Sequence, residues 1–158
     1  MSPPRVGIWL IGARGGVAAT ATLGLIGLQK QLTRTVGLVS GLPQFERLDF
    51  AAWDSFVVGG HEIRDGTLFD SVERLRADSR VLDSALVDAC RDELAAVDAR
   101  IRPGSLANCG ETIGGLAGSA VREFANEPAR DAIKRLQHDR AEIAAPDVLP
   151  QSTKNRDR

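Results

Sequence analysis

Val6-Gly7-Ile8-Trp9-Leu10-Ile11-Gly12-Ala13-Arg14-Gly15-Gly16-Val17-Ala18 is the stretch on which the fold turns. Its first six residues are almost wholly apolar, which is how a strand buried on both faces of a parallel sheet reads. Glycines at 12, 15 and 16 stop that strand. From Val17 to about Leu32, alanine, leucine and isoleucine crowd so densely that a largely buried helix is expected. Strand, glycine turn and helix follow one another almost from the first residue.

Working outward, Val36-Gly37-Leu38-Val39 reads as a brief extended piece ahead of a Gly41-Leu42-Pro43 break. Ser55-Phe56-Val57-Val58-Gly59-Gly60 reads as a second buried strand ending in a tight turn. Leu68, Val72 and Leu75 have helical spacing, and so do Leu82, Leu86, Ala89, Cys90, Leu94 and Val97, whose longer helix Arg102-Pro103-Gly104 stops. A third strand is expected over 105–109 and a last helix over 129–143. The fold expected is α/β: a Rossmann-like, mostly parallel sheet with helices on both faces, carried by residues 1–144. Residues 145–158 place Pro146 and Pro150 ahead of a polar run with nothing to bury, and are expected to form a disordered tail.

Composition removes several classes of function. At 158 residues one domain is the natural expectation. Twenty basic against 21 acidic residues give a formal charge of −1, without the basic footprint that nucleic acid or an anionic membrane requires. No uninterrupted apolar run approaches the roughly 18 residues of a membrane span, and the N-terminus lacks the pattern of a secretory signal. Cys90 and Cys109 are too few and too far apart for a disulfide framework, so a reducing cytoplasm is expected. Cys109 reads as a small buried residue at a strand end. His61 and His138 fall on different elements with no cysteine or carboxylate read at ligand spacing, so no metal site is expected.

Sixteen glycines, bunched near the N-terminus, at 59–60 and over 104–118, point to backbone in close approach to something, with free use of glycine in an Ala/Gly-rich sequence as the alternative for 104–118. In the first turn that something is most simply a pyrophosphate. Glycines let the backbone approach the phosphates, and the helix N-terminus supplies unpaired N–H groups with a favourable dipole. The candidate residues are Gly12, Ala13, Arg14, Gly15, Gly16, Val17 and Ala18. Their series is one residue longer than G-x-G-x-x-G, and a tight βα turn that binds nothing is the competing reading. Glu62, at the tip of the second strand, is the candidate ribose acceptor. It lies 50 residues beyond Gly12, where about 20 is usual, so an insertion precedes the second strand; the alternative is one more solvated loop acid. Arg14 has two candidate partners, the pyrophosphate or the 2′-phosphate of NADP, though a ribose-facing Glu62 would repel that phosphate.

Taken with Phe56-Val57-Val58-Gly59-Gly60-His61-Glu62-Ile63 and Asn108-Cys109-Gly110-Glu111-Thr112-Ile113, the opening stretch resembles the N-terminal part of the inositol-3-phosphate synthase family over residues 5–143. Glu62 stands where that family's pattern has aspartate. The resemblance implies NAD as cofactor, with the Gly12–Ala18 turn, Glu62 and Ile63 around it. It also implies glucose 6-phosphate as substrate and homo-oligomeric full-length relatives. Oxidation of a sugar hydroxyl, enolisation, aldol closure and reduction would return the cofactor unchanged. The family stabilises its enolate and phosphate with lysines, whereas this chain has only Lys30, Lys134 and Lys154, none in a catalytic setting by sequence. The expectation is a cofactor-binding half with no catalytic residue of its own. An NAD(P)-dependent sugar-phosphate oxidoreductase and a non-catalytic nucleotide-binding remnant are the alternatives.

Overall fold

The computed structural model describes residues 5–144; the expected tail at 145–158 lies outside them. Strands β1 (Val6–Ile11) and β2 (Phe56–Glu62) run parallel, with Val6 opposite Phe56 and Ile11 opposite His61. On the other side of β2, β3 (Ile101–Pro103) is also parallel and pairs Ile101 with Gly60 and Pro103 with Glu62. The order is β1-β2-β3, so both crossovers step the same way across the sheet. Right-handed crossovers of that kind put their helices on one face.

Those helices are α1 (Gly16–Gln29), α2 (Leu68–Ser79), α3 (Ser84–Ala89) and α4 (Arg91–Asp98). Leu23, Leu68 and Leu94 are fully buried among them, packed with Val58 and Ile101 of the sheet. Each such leucine contributes about 1.5–3 kcal/mol by leaving water. α2 starts on a capping box, in which Thr67 and Asp70 satisfy each other's backbone N–H groups. α1 stops where Gln31 turns left-handed at φ 59° and Leu32 N–H returns to Gly27 O. Side chains alternate along a strand, so Trp9, Gly59 and His61 point to the opposite face. There α7 (Ala129–Ala144) packs, and its Asp139 meets His61. The sheet is parallel and helices lie on both of its faces, as the sequence pattern implies.

Four expectations need correction. The second strand does not turn at Gly59-Gly60 but runs through both glycines to Glu62. Residues 36–39 form no strand: Leu38 N–H bonds to Thr35 O and Gly41 N–H to Leu38 O, and local turns run through 3₁₀ segments at Val39–Gly41, Pro43–Phe45 and Trp53–Ser55. The helix expected across 82–97 is broken at Cys90, whose φ of −104° and ψ of 6° leave the helical well. The third strand is at Ile101–Pro103 and not at 105–109, where Asn108 sits at φ 59°, a left-handed value no strand accommodates. Cys109 is accordingly half-buried in a turn. Short helices α5 (Glu111–Gly115) and α6 (Ser119–Arg122) follow it.

Candidate functional site

The glycine turn is fastened to the end of β2. Gly12 and Ala13 both donate backbone N–H bonds to His61 O, at 2.9 and 3.1 Å, and Gly15 N–H closes the turn on Gly12 O at 2.8 Å. Gly12 has φ +77°, which side chains rarely adopt. Gly60 is required for a different reason: a Cβ there would overlap Leu10 O and come within 3.0 Å of Ala13 Cβ, so the turn could not close over the strand. Beyond the turn, α1 begins at Gly16 with no side-chain cap and no acid in its first turn. The N–H groups of Gly16, Val17 and Ala18 therefore have no intrahelical acceptor, at the positive end of the helix. Gly16 and Val17 are exposed.

Glu62 lies beneath this turn and is 4% exposed, which excludes the solvated loop acid. Its Oε2 accepts Arg14 N–H at 2.8 Å; its Oε1 accepts Ile63 N–H at 2.8 Å and Arg64 N–H at 3.2 Å. The Arg64 guanidinium completes the set, Nε to Oε1 at 3.2 Å and Nη2 to Oε2 at 3.1 Å. Burial works to raise the Glu62 carboxyl, but the Arg64 guanidinium and the three backbone donors outweigh it and hold the group below its ordinary 4.5. An ionised carboxylate offers about four lone-pair sites. Five donors already fill them.

Arg14 is also engaged. Its Nε and Nη2 bond Asp98 at 2.8 and 3.2 Å, and Nη1 reaches Arg64 O at 3.4 Å. Asp98 accepts Leu68 N–H as well, so one carboxylate ties the turn to the ends of α4 and α2. The guanidinium read as a phosphate partner thus faces α4. Ile63 makes its hydrogen bonds through the backbone: its N–H goes to Glu62 and its carbonyl accepts Gly118 N–H at 2.7 Å.

The second glycine cluster docks against the same strand end. Gly104 N–H bonds Glu62 O at 2.8 Å, and the Asp65 carboxylate receives Ser119 N–H at 3.0 Å. Between these segments lies a cavity of about 170 Å³, lined among others by Arg14, Glu62, Arg64, Asp65 and Arg102. Sequence reasoning missed Arg64, Asp65 and Asp98. Arg64 and Asp65 followed Glu62 directly and so carried a signal; Asp98, 84 residues from Arg14, carried none.

The histidines also need a correction, because His138, Asp139 and Glu142 of α7 bring their ligand atoms within 4.8 Å of one another. Asp139 is already held by His61 at 3.3 Å and lies 3.8 Å from Arg135. On its other side His61 Nδ1 accepts the Trp9 indole N–H at 3.1 Å, which fixes the ring proton on Nε2. Lys30, at the far end of α1 from the turn, bonds Glu93 and Ala89 O, and Lys134 bonds Asp131; Lys154 lies outside the described residues. No described helix is long and apolar enough to cross a membrane. In comparisons with models of protein families and with curated proteins, the chain matches none.

Proposed function

We propose that the chain binds a nicotinamide adenine dinucleotide, with the pyrophosphate on the Gly12–Ala18 turn and the adenosine ribose toward the end of β2. The observation that carries this reading is the uncapped N-terminus of α1, opening directly from β1 through a turn whose backbone is braced by Glu62. Three N–H groups and the helix dipole converge where phosphate oxygens would sit. Val17, 88% exposed, and Ile11, 79% exposed, leave the turn open to a ligand. When bound, the cofactor would supply hydride transfer; the residues of this chain bind and orient it.

For the reaction, the family resemblance supports an NAD-dependent synthase acting on glucose 6-phosphate, with this chain as its cofactor-binding part. A non-catalytic nucleotide-binding role is favoured by one observation: Lys30, at the far end of α1, and Lys134 are each paired with a carboxylate. Thermal unfolding of the whole chain with millimolar NAD or NADP tests the binding reading. A ligand at a hundred times its dissociation constant stabilises by about 2.7 kcal/mol. A melting curve unmoved by either dinucleotide refutes the reading.

A further inference from the structure

We infer that Arg64 is the specificity-determining residue of the ribose corner: its guanidinium covers the Glu62 carboxylate as a vicinal diol would, and swings aside when the adenosine ribose of NAD bonds there. The inference rests on the dinucleotide reading and names the residue that sets how strongly the ribose hydroxyls are felt.

The Glu62 carboxylate has two kinds of partner. Three are backbone N–H groups, of Arg14, Ile63 and Arg64, which side-chain motion does not release. The other two belong to the Arg64 guanidinium, Nε on Oε1 at 3.2 Å and Nη2 on Oε2 at 3.1 Å. Both are longer than the 2.8 Å bonds from Arg14 and Ile63. Exposure divides the pair in the same way. The Glu62 side chain is 2% exposed and that of Arg64 is 40% exposed, so the acid stays fixed while the arginine can change rotamer.

A guanidinium edge and a vicinal diol present one pattern to a carboxylate: two adjacent donors, one for each oxygen. With Arg64 turned out, each oxygen regains the place it gives to the guanidinium, and the three backbone N–H groups keep the carboxylate aimed. Glu62 and Arg64 both line the cavity of about 170 Å³ at this corner. The guanidinium also lies against the glycine turn, since a Cβ placed on Gly15 would be 3.5 Å from Nη2. A ribose reaching from a pyrophosphate on the turn to Glu62 therefore meets Arg64 first. A ribose carrying a 2′-phosphate lacks the second hydroxyl, and its charge opposes that of Glu62, so the uncovered acid selects the unphosphorylated sugar. From the hydroxyls the wild type gains only the difference between their bonds and those that Arg64 gives up.

The test is calorimetric titration of the whole chain with NAD and with an analogue whose adenosine ribose lacks the 2′-hydroxyl. In Arg64→Ala the preference for NAD over the analogue should exceed the wild-type preference by roughly fivefold, what an exposed ion pair contributes. Arg64→Lys, with a single point charge in place of the fork, should fall between them. Taking the ratio of the two ligands cancels the loss of a positive charge, which both feel alike. Circular dichroism spectra matching wild type exclude loss of fold. An equal preference in wild type and Arg64→Ala overturns the inference, as does a smaller one in the variant, which would make Arg64 itself a ribose ligand; in either case the binding reading stands. If neither the wild type nor Arg64→Ala binds NAD, the reading and the inference fall together.

Discussion

The Glu62 carboxylate holds the turn and the β2 end together, and its removal has a predictable cost. Replacing it with glutamine puts an amide among five donors, two of them on the Arg64 guanidinium, and should destabilise the fold by about 1–3 kcal/mol in urea titrations. Because the folded carboxyl is held below 4.5, its contribution is complete above that value and is lost as pH falls through the lowered folded one. Glu62→Gln should therefore flatten the acid limb of the stability profile. A variant that retains the wild-type acid limb would show that the pairing adds nothing. The position of Glu62 was legible in the sequence, as an acid two residues after Gly59-Gly60. Its state of occupation was not, because the Arg14 N–H comes from 48 residues away and the Arg64 side chain is placed by the fold.

At the level of elements, what could be read was local and what could not was relational. β1, the glycine turn and α1 are written in consecutive residues, each with its own periodicity or breaker. β3 has only three residues, too few for a period; pairing with Gly60–Glu62 decides where it lies. α1 also contains an internal cost that composition does not reveal. Thr22 is 2% exposed, and among the described residues its hydroxyl has no partner. It borders an apolar cavity of about 130 Å³ formed with Ile8, Leu10, Leu25 and Val58. Thr22→Val removes the unmatched hydroxyl while keeping the branched shape, and should stabilise by about 1 kcal/mol. A fall in the urea midpoint would mean that the hydroxyl is satisfied.

For the molecule as a whole, pH dependence follows from the layer between the sheet and α7. Burial pushes the His61 imidazole below 6.5; the Asp139 contact opposes this, and Arg135 and Arg102 reinforce it. Between that lowered value and 6.5 the unfolded chain binds the extra proton, so stability rises with pH across the window and levels off above 6.5. The slope cannot exceed about 1.4 kcal/mol per pH unit for one group. Melting temperatures from pH 5 to 8 should show this rise in the wild type and lose it in His61→Gln. An identical rise in the variant would assign it to another group.

The parallel ladder between β1 and β2 has a consequence for how the chain is made. Its partners, Val6 with Phe56, are 50 residues apart, because the irregular segment and α1 lie between them. Closing so long a loop costs the finished protein little, since doubling a loop adds only about 0.6 kcal/mol. The burden falls on synthesis. At about 5–20 residues per second, β1 waits roughly 3–10 s for the strand that pairs with it. Throughout that interval Ile8-Trp9-Leu10-Ile11 is an unpaired apolar edge, and the nascent chain depends on early collapse of α1 onto it, or on a chaperone, to avoid aggregation.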